Sequence, residues 1–284
     1  MELDSPALRN AVQSLASHAL PAFGLTLLAL TAVVCAAWWL VQRYGVHRET
    51  SRFTPLAYLV GYLALGFGVI IGAATLFAEI AENLGDGRAM GQLDQLFSDT
   101  IQTTLSPGAF RAFALVTHLG DPLTLTGLGV AVAGFLLWRR HYDLCVGWVL
   151  AMGGNAVLNP ALKRIFERAR PVHDNLRAFA DGFSFPSGHA SGSVVAYGML
   201  AYLAVQLLPA RWLDARLPVL LLATAVAFTI CASRVFVQVH FATDVLAGMA
   251  SGSAWLAVCI GALELRRYRQ QKQGLGLGLG RTPV

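Results

Sequence analysis

The chain consists of long apolar stretches separated by short polar segments. A membrane-spanning helix requires about 20 predominantly apolar residues. Stretches of this kind, free of charged residues, cover residues 19–41, 53–78, 122–138, 144–162, 190–210, 217–233 and 245–263. The third stretch is short, and we expect its helix to start earlier, near Arg111. The pattern predicts an all-α, polytopic membrane helix bundle of about seven transmembrane helices.

The segments around these stretches give the domain organisation. Residues 1–18 lack the basic start of a signal peptide, and the apolar run that follows is too long for one, so we expect the first span to be retained. Residues 19–110 hold two spans and an outer segment. A core over 111–264 follows, and a basic, Gly-Leu-rich tail over 265–284 is predicted to be disordered.

The sequence pattern predicts one or two amphipathic helices in the outer segment. Leu93, Leu96 and Phe97 form a loose apolar stripe, and Asp94 and Asp99 are predicted to be solvated.

Composition narrows the class of protein. Hydrophobic residues make up 56% of the chain and charged residues 13%, against about 25% charged residues in soluble domains. This excludes an ordinary soluble domain and intrinsic disorder. The net charge of +5 is better explained by membrane topology than by nucleic-acid binding. Cys35, Cys145, Cys231 and Cys259 lie in apolar runs without metal-site spacing, so neither disulfides nor zinc are predicted.

Basic residues set the predicted orientation, because short cytoplasmic loops carry excess Lys and Arg. They follow the first, third, fifth and seventh spans, for example Arg43, Arg139, Arg211 and Arg266. We therefore expect a protein of a bacterial inner (plasma) membrane, with its C-terminus in the cytoplasm. The basic 163–181 loop falls on the outer, periplasmic face and violates this rule, which points to an anionic ligand.

Polar clusters lie at the predicted outer ends of the last four spans. They read Lys163-x6-Arg170-Pro171, Pro186-Ser187-Gly188-His189 and Ser233-Arg234-x5-His240-x3-Asp244. Arginine forks match phosphate oxygens, and lysine supplies a point charge. A helix that starts at Ser187-Gly188 offers free N–H groups to an anion.

The two histidines, His189 and His240, can divide the roles of nucleophile and of acid or base between them. Asp244 follows His240 by four residues, so both share one helix face, and the carboxylate can fix the tautomer of the imidazole. His189 can act as an acid or base. Together with the cations, this arrangement describes phosphoryl transfer without a metal.

These motifs resemble those of the type-2 phosphatidic acid phosphatase family, which shares its core with vanadium-dependent haloperoxidases. The resemblance covers about residues 119–263. It implies a haloperoxidase-like phosphatase core in which His240 forms a phosphohistidine, Asp244 orients it and His189 protonates the leaving oxygen. It assigns phosphoryl binding to the remaining motif residues: Lys163, Arg170, Ser187, Gly188 and Arg234. It also implies no metal and no cofactor.

The resemblance implies a phospholipid or isoprenyl phosphate as substrate, with a weak preference for an isoprenyl diphosphate such as undecaprenyl diphosphate. Phosphatidate and phosphatidylglycerophosphate stay open, as does the oligomeric state. A lipid phosphotransferase would pass through the same intermediate. A lipid-headgroup binder or transporter is disfavoured, because binding alone needs no His–Asp pairing. A haloperoxidase is disfavoured because those enzymes are soluble.

Other polar residues receive structural interpretations. Asn159 is expected to make an interhelical hydrogen bond. Arg164 and Arg168 are interpreted as snorkelling interfacial residues. His118 and Asp121 could line the outer mouth of the site, but a structural interpretation is favoured for both. The Gly248-x3-Gly252 pair predicts close helix packing.

Overall fold

The computed structural model describes residues 5–45, 55–84, 89–171 and 181–278, and within these ranges its regular secondary structure is helical. The α-helices are α1 (Pro6–Ser17), α2 (Ala19–Leu40), α3 (Pro55–Glu82), α4 (Ala89–Thr104), α5 (Pro107–Val116), α6 (Pro122–Trp138), α7 (Tyr142–Phe166), α8 (Gly188–Leu207), α9 (Arg216–Phe236) and α10 (Ala242–Gly278). A π-helical turn, Val41–Gly45, ends α2, and 3₁₀ turns, Thr117–Gly120 and Ala210–Ala215, precede α6 and α9.

Six of these helices are long and apolar enough to cross a membrane: α2, α3, α7, α8, α9 and α10. A seventh span requires α5 and its 3₁₀ turn to combine with α6, and this pair is bent by 43°. The predicted bundle of about seven spans is therefore confirmed. The prediction that the third span extends back towards Arg111 as one helix is wrong.

Local sequence explains the bend in the third span. Pro122 occupies the first turn of α6, and the N-cap residue Asp121 is extended, as expected where proline starts a helix. Gly120 just before it is packed so tightly that a Cβ there would lie 2.5 Å from Cγ2 of Ile230. The chain therefore turns where α9 leaves no room for a side chain.

The core is centred on α8, which packs between α9 and α10, while α3 lies along α10 and α2 along α9. Between α6, α7, α8 and α10, the buried core includes Leu136, Trp148, Val195, Met199 and Leu263. Many apolar side chains of α2 and α3 are exposed, as expected for surfaces that face lipid.

The outer amphipathic segment forms α4 and α5, as predicted, and α1 packs against α4. Phe97 joins a buried cluster with Phe113 and Phe236 of the core helices. Asp99 is exposed, but Asp94 is only 5% exposed. The prediction that Asp94 is solvated is wrong, because α4 turns this side chain inward onto the start of α10.

The C-terminal helix is longer than the sequence indicates. It continues to Gly278 and so includes part of the Gly-Leu repeat, where we predicted disorder. Extending a formed helix costs less than starting one. Residues 279–284 lie outside the described residues.

Gly248 and Gly252 let α10 approach α8 closely, which supports the packing interpretation of the motif. A Cβ at Gly248 would lie 2.5 Å from the backbone oxygen of Ser187, and one at Gly252 would lie 2.8 Å from that of Ser191. Backbone atoms cannot move aside as a flexible side chain can. The two glycines thus hold the start of α8 at a fixed distance from α10.

We predict that Gly248→Ala lowers the free energy of unfolding by about 1–3 kcal/mol, the usual cost of overpacking, and that it also lowers activity. Gly134→Ala on α6 is the matched control, since no atom lies within 4 Å of the added methyl group. The control should leave thermal unfolding in detergent unchanged or raise its midpoint. Equal midpoints for the two variants would contradict the close-packing interpretation.

Candidate active site

The predicted site residues surround one cavity of about 1110 Å³. The residues of the three motifs that line it are Lys163, Arg170, Gly188, His189, Arg234 and His240. Ser187 and Asp244 are buried and are not among its lining residues. Tertiary structure thus brings segments from four parts of the sequence to one polar pocket.

His240 lies in the tight connection between α9 and α10 and is 2% exposed. The backbone N–H groups of Val239 and His240 both donate to the carbonyl of Arg234, at 3.2 and 3.3 Å. Gln238 has a φ of 62° in this connection. The turn therefore fixes His240 beside Arg234 rather than leaving it on a free loop.

The contacts of His240 define its tautomer. Its Nε2 lies 3.2 Å from Nη1 of Arg170, and because a guanidinium can only donate, Nε2 must carry the lone pair. Nδ1 lies 3.4 Å from Oδ2 of Asp244. Burial, together with the cations Arg170 and Arg234 and against the influence of Asp244, lowers the pKa of His240 to about 3. The imidazole is therefore neutral near pH 7, with its basic nitrogen beside a cation.

Asp244 is held from several sides. Its Oδ2 accepts hydrogen bonds from the Ser184 hydroxyl and from the Phe241 backbone N–H, the latter at 2.9 Å. Its Oδ1 lies 2.6 Å from Nη1 of Arg168. Ser184 also lies 3.4 Å from Nδ1 of His240. The carboxylate that orients His240 thus has little freedom to rotate.

Arg168 links Asp244 to the N-terminal half of the chain. Its Nη2 lies 2.8 Å from Oδ2 of Asp94 on α4, and its guanidinium stacks on Phe241, 4.3 Å from the ring centroid. The Thr243 hydroxyl donates to Asp94. The interpretation of Arg168 as a snorkelling residue is wrong, because two buried carboxylates hold its charge inside the protein. Arg164 is exposed, as snorkelling requires.

The cationic side chains of the motifs differ in their hydrogen-bond partners. Lys163 donates to the Phe183 carbonyl. Arg170 donates to the carbonyls of Gly182 at 3.0 Å and Val239 at 2.7 Å, which ties the segment before Ser184 to the α9–α10 turn. Arg234 donates to Thr117 at 2.7 Å, but its buried Nε has no hydrogen-bond partner in the described part of the chain.

The start of α8 forms another wall of the cavity. The Ser187 hydroxyl accepts the backbone N–H of Ala190 and caps the helix, so a contact between Ser187 and a phosphoryl group stays a prediction. Gly188 allows Asn159 to approach, since a Cβ there would lie 2.9 Å from its side-chain oxygen. Asn159 donates to Ser191 at 3.2 Å, which confirms the expected interhelical hydrogen bond.

His189 has its own carboxylate partner. Its Nε2 lies 2.7 Å from Oδ1 of Asp121, and the other oxygen of Asp121 lies 2.7 Å from Nδ1 of His118. Both His118 and Asp121 line the cavity, although the sequence did not assign them to the site.

Other residues were also missed from the sequence, namely Asp94, Ser184, Thr117 and Thr243. None of them is a defined residue of the three motifs. Only Ser184, two residues before Pro186, and Thr243, directly before Asp244, could have been suspected from their positions. Asp94 and Thr117 reach the site solely through the packing of α4 and of the turn after α5.

We predict that Arg168→Lys lowers turnover of a lipid phosphate at least about tenfold and changes KM less than about threefold. A lysine keeps the charge but cannot bridge two carboxylates with a planar fork, and the effect on the substrate passes through Asp244. Steady-state phosphate release measures both parameters. Arg164→Lys, in the same basic segment, is the control and should match the unmodified chain. A normal turnover in Arg168→Lys would show that the bridge does not orient Asp244.

Comparisons with known proteins agree with this geometry. A family model described as the PAP2 superfamily matches residues 144–268. Phosphatidylglycerophosphatase B of Bacillus subtilis (strain 168) is 32% identical over 190 residues, which span 64% of this chain and 90% of that protein. A crystal structure of a transmembrane PAP2 type phosphatidylglycerolphosphate phosphatase from Bacillus subtilis matches with a TM-score of 0.63 and 29% identity, over 69% of this chain and 96% of that chain.

The resemblance drawn from the three motifs is therefore confirmed, as is the all-helical membrane architecture. The relatives are phosphatases, and the chain holds a cavity that collects the residues of all three motifs. The chain belongs to the PAP2 superfamily and is an integral-membrane phosphatase of that family.

Proposed function

We propose that this phosphatase hydrolyses a lipid phosphate without a metal, through a phosphohistidine on His240, at the outer face of the membrane. The observation that carries the proposal is the protonation state of the His240 imidazole and the position of its two ring nitrogens. Its Nε2 holds a lone pair beside the Arg170 guanidinium, while the Nδ1 side faces Asp244. A buried, neutral imidazole with an oriented carboxylate behind it is suited to nucleophilic attack.

The reaction proceeds in two balanced steps. Nε2 of His240 attacks phosphorus, the bond from phosphorus to the lipid oxygen breaks, and His189 gives its proton to that oxygen. Water then attacks phosphorus and gives a proton back to His189 while the phosphorus–nitrogen bond breaks, which releases phosphate and frees His240. Asp244 stays ionised and stabilises the positive imidazole of the intermediate.

The cations around the cavity supply the charge that the transferred phosphoryl group needs. Arg234, Lys163 and Arg170 all line the cavity. Phosphoryl transfer depends mainly on positioned charges and donors. Fixed cations can play this part, and this supports a mechanism that requires no metal ion.

The rest of the cavity suits an amphiphilic substrate. Its wall on α6 and α7 includes Val130, Trp148, Val149 and Met152. Val130 and Val149 are more than half exposed, so this wall continues onto the lipid-facing surface. A phosphate headgroup can occupy the polar end while its chain lies along α6 and α7.

Phosphatidylglycerophosphate is our first candidate substrate, since the relative is named phosphatidylglycerophosphatase B. An isoprenyl diphosphate is the second. It is supported by the predicted outer position of the site, where a carrier lipid would be recycled.

The test is phosphate release by the purified protein from phosphatidylglycerophosphate, phosphatidate and undecaprenyl diphosphate, each with and without EDTA. We expect release that survives EDTA and is blocked by vanadate, which mimics five-coordinate phosphorus. His240→Ala should abolish turnover of every substrate. Arg164→Ala, an exposed residue, is the control and should retain full activity.

Two results would contradict this mechanism. One is activity lost in EDTA and restored by magnesium. The other is failure to find phosphate on His240 after rapid quenching with labelled substrate. Transfer of label to a second lipid instead of water would identify a phosphotransferase.

The orientation of the site is tested separately by thiol labelling. A cysteine introduced at Asn175, in the basic loop, should react with a membrane-impermeant maleimide on intact cells or spheroplasts. Cysteines introduced at Arg140 or Lys272 should react only after permeabilisation, because both follow the predicted cytoplasmic ends of spans. The unmodified chain measures labelling of the native cysteines. The reverse pattern would place the active site in the cytoplasm.

A further inference from the structure

His189 belongs to a second histidine–carboxylate cluster, whose other members, Asp121 and His118, lie outside the three motifs. Nε2 of His189 and Nδ1 of His118 each lie 2.7 Å from a different oxygen of Asp121. Exposure to solvent increases along the cluster from His189 through Asp121 to His118. The exposed fractions of the side chains are 15% for His189, 35% for Asp121 and 69% for His118.

These contacts fix which nitrogen of His189 is free. An ionised carboxylate can only accept hydrogen bonds, so His189 donates its Nε2–H and His118 its Nδ1–H. Nδ1 of His189 makes no hydrogen bond with the part of the chain that the structure describes. It is therefore the nitrogen left to carry a proton that can be transferred.

The charged groups near His189 determine how far its protonated form depends on Asp121. Burial, Arg234 on α9 and Arg170 disfavour a positive imidazole at this position, while Asp121 favours it. Lys163 on α7 and His240 line the same cavity, and Asp244 on α10 lies buried behind His240. His118 donates to the far oxygen of Asp121. Among these groups, Asp121 is the carboxylate in direct contact with His189.

The backbone holds Asp121 in this place. Its carbonyl accepts the N–H of Leu125 at 2.9 Å, so the residue starts α6 and cannot swing away. The preceding Gly120 lets α8 approach, since a Cβ at Gly120 would lie 3.2 Å from Cδ2 of His189. The bend in the third span is therefore what brings the carboxylate to the histidine.

We propose that Asp121 is a positioning residue for the general acid: it orients His189 and stabilises the imidazolium relative to the neutral ring, so that the leaving oxygen can take the proton. The inference rests on the proposed function, in which His189 protonates that oxygen. Asp121 stays ionised throughout, and the proton that moves comes from Nδ1 of His189. After phosphohistidine hydrolysis, a proton from water restores the imidazolium.

This role makes the need for Asp121 depend on the leaving group. A lipid alkoxide is a strong base and departs slowly without a proton, whereas a nitrophenolate departs readily without one. Removal of the carboxylate should therefore slow alkyl phosphates selectively. It should also lower the pKa of His189, so that the acid loses its proton at a lower pH.

The experiment compares Asp121→Asn with the unmodified protein on phosphatidate and on p-nitrophenyl phosphate, with kcat and KM measured across pH. We expect kcat for phosphatidate to fall about 10- to 100-fold, within the usual worth of general acid catalysis, and kcat for the aryl phosphate to fall less than about threefold. The alkaline limb of the phosphatidate profile should shift to lower pH. Retained aryl phosphate turnover shows that the site is folded.

Three further variants test the assignment. Asp99→Asn removes an exposed carboxylate of α4 and should change neither rate nor pH profile. His118→Ala removes the outer partner of Asp121 and should cost less than Asp121→Asn. In a His189→Ala background, Asp121→Asn should cause no further loss on phosphatidate, because the residue acts through His189.

Several outcomes would overturn the inference while the proposed function survives. One is an unchanged phosphatidate rate and pH profile in Asp121→Asn. Another is an equal loss on both substrates, which would indicate a structural or headgroup-binding role. A third is an additive loss in the double variant. If the unmodified protein releases no phosphate from lipid phosphates, the proposed function itself fails.

Discussion

The structure depends on the Arg168 guanidinium, which is 11% exposed and lies between the buried carboxylates of Asp94 and Asp244. An unpaired charge in this position would cost several kcal/mol, so each member of the trio needs the others. The bridge fastens α4 to the start of α10. It also holds the carboxylate behind His240, so the fold and the proposed nucleophile share a single set of contacts.

The two histidines at the cavity each contact a carboxylate, but their surroundings differ. His240 is almost fully buried, and burial together with the nearby cations keeps its imidazole neutral. His189 is more exposed, and its carboxylate partner reaches towards solvent. Different environments can give like side chains different tasks, because burial and nearby charge move their proton affinities apart.

The N-terminal half contributes to the site although the family match covers residues 144–268. Asp94 comes from α4, and Thr117 and Asp121 come from the turn between α5 and α6. These contacts surround the motif residues with a second set of polar partners. Such partners orient the groups that do the chemistry, and their loss reduces activity without touching substrate.

The sequence by itself determined the membrane class, the approximate spans, and the motif residues that meet at one cavity, because apolar length and local spacing carry that information. The expectation that His240 and Asp244 share one helix face is wrong, because α10 begins at Ala242 and His240 lies in the turn before it, but their side chains still meet. The partners of Asp244 and His189 were decided by tertiary structure. Asp94 looked like a solvated helix residue and Arg168 like a snorkelling one, since neither spacing nor hydropathy reveals which way a packed helix turns its charges. Only the docking of α4 on α10, and of the bent third span on α8, placed those charges against each other.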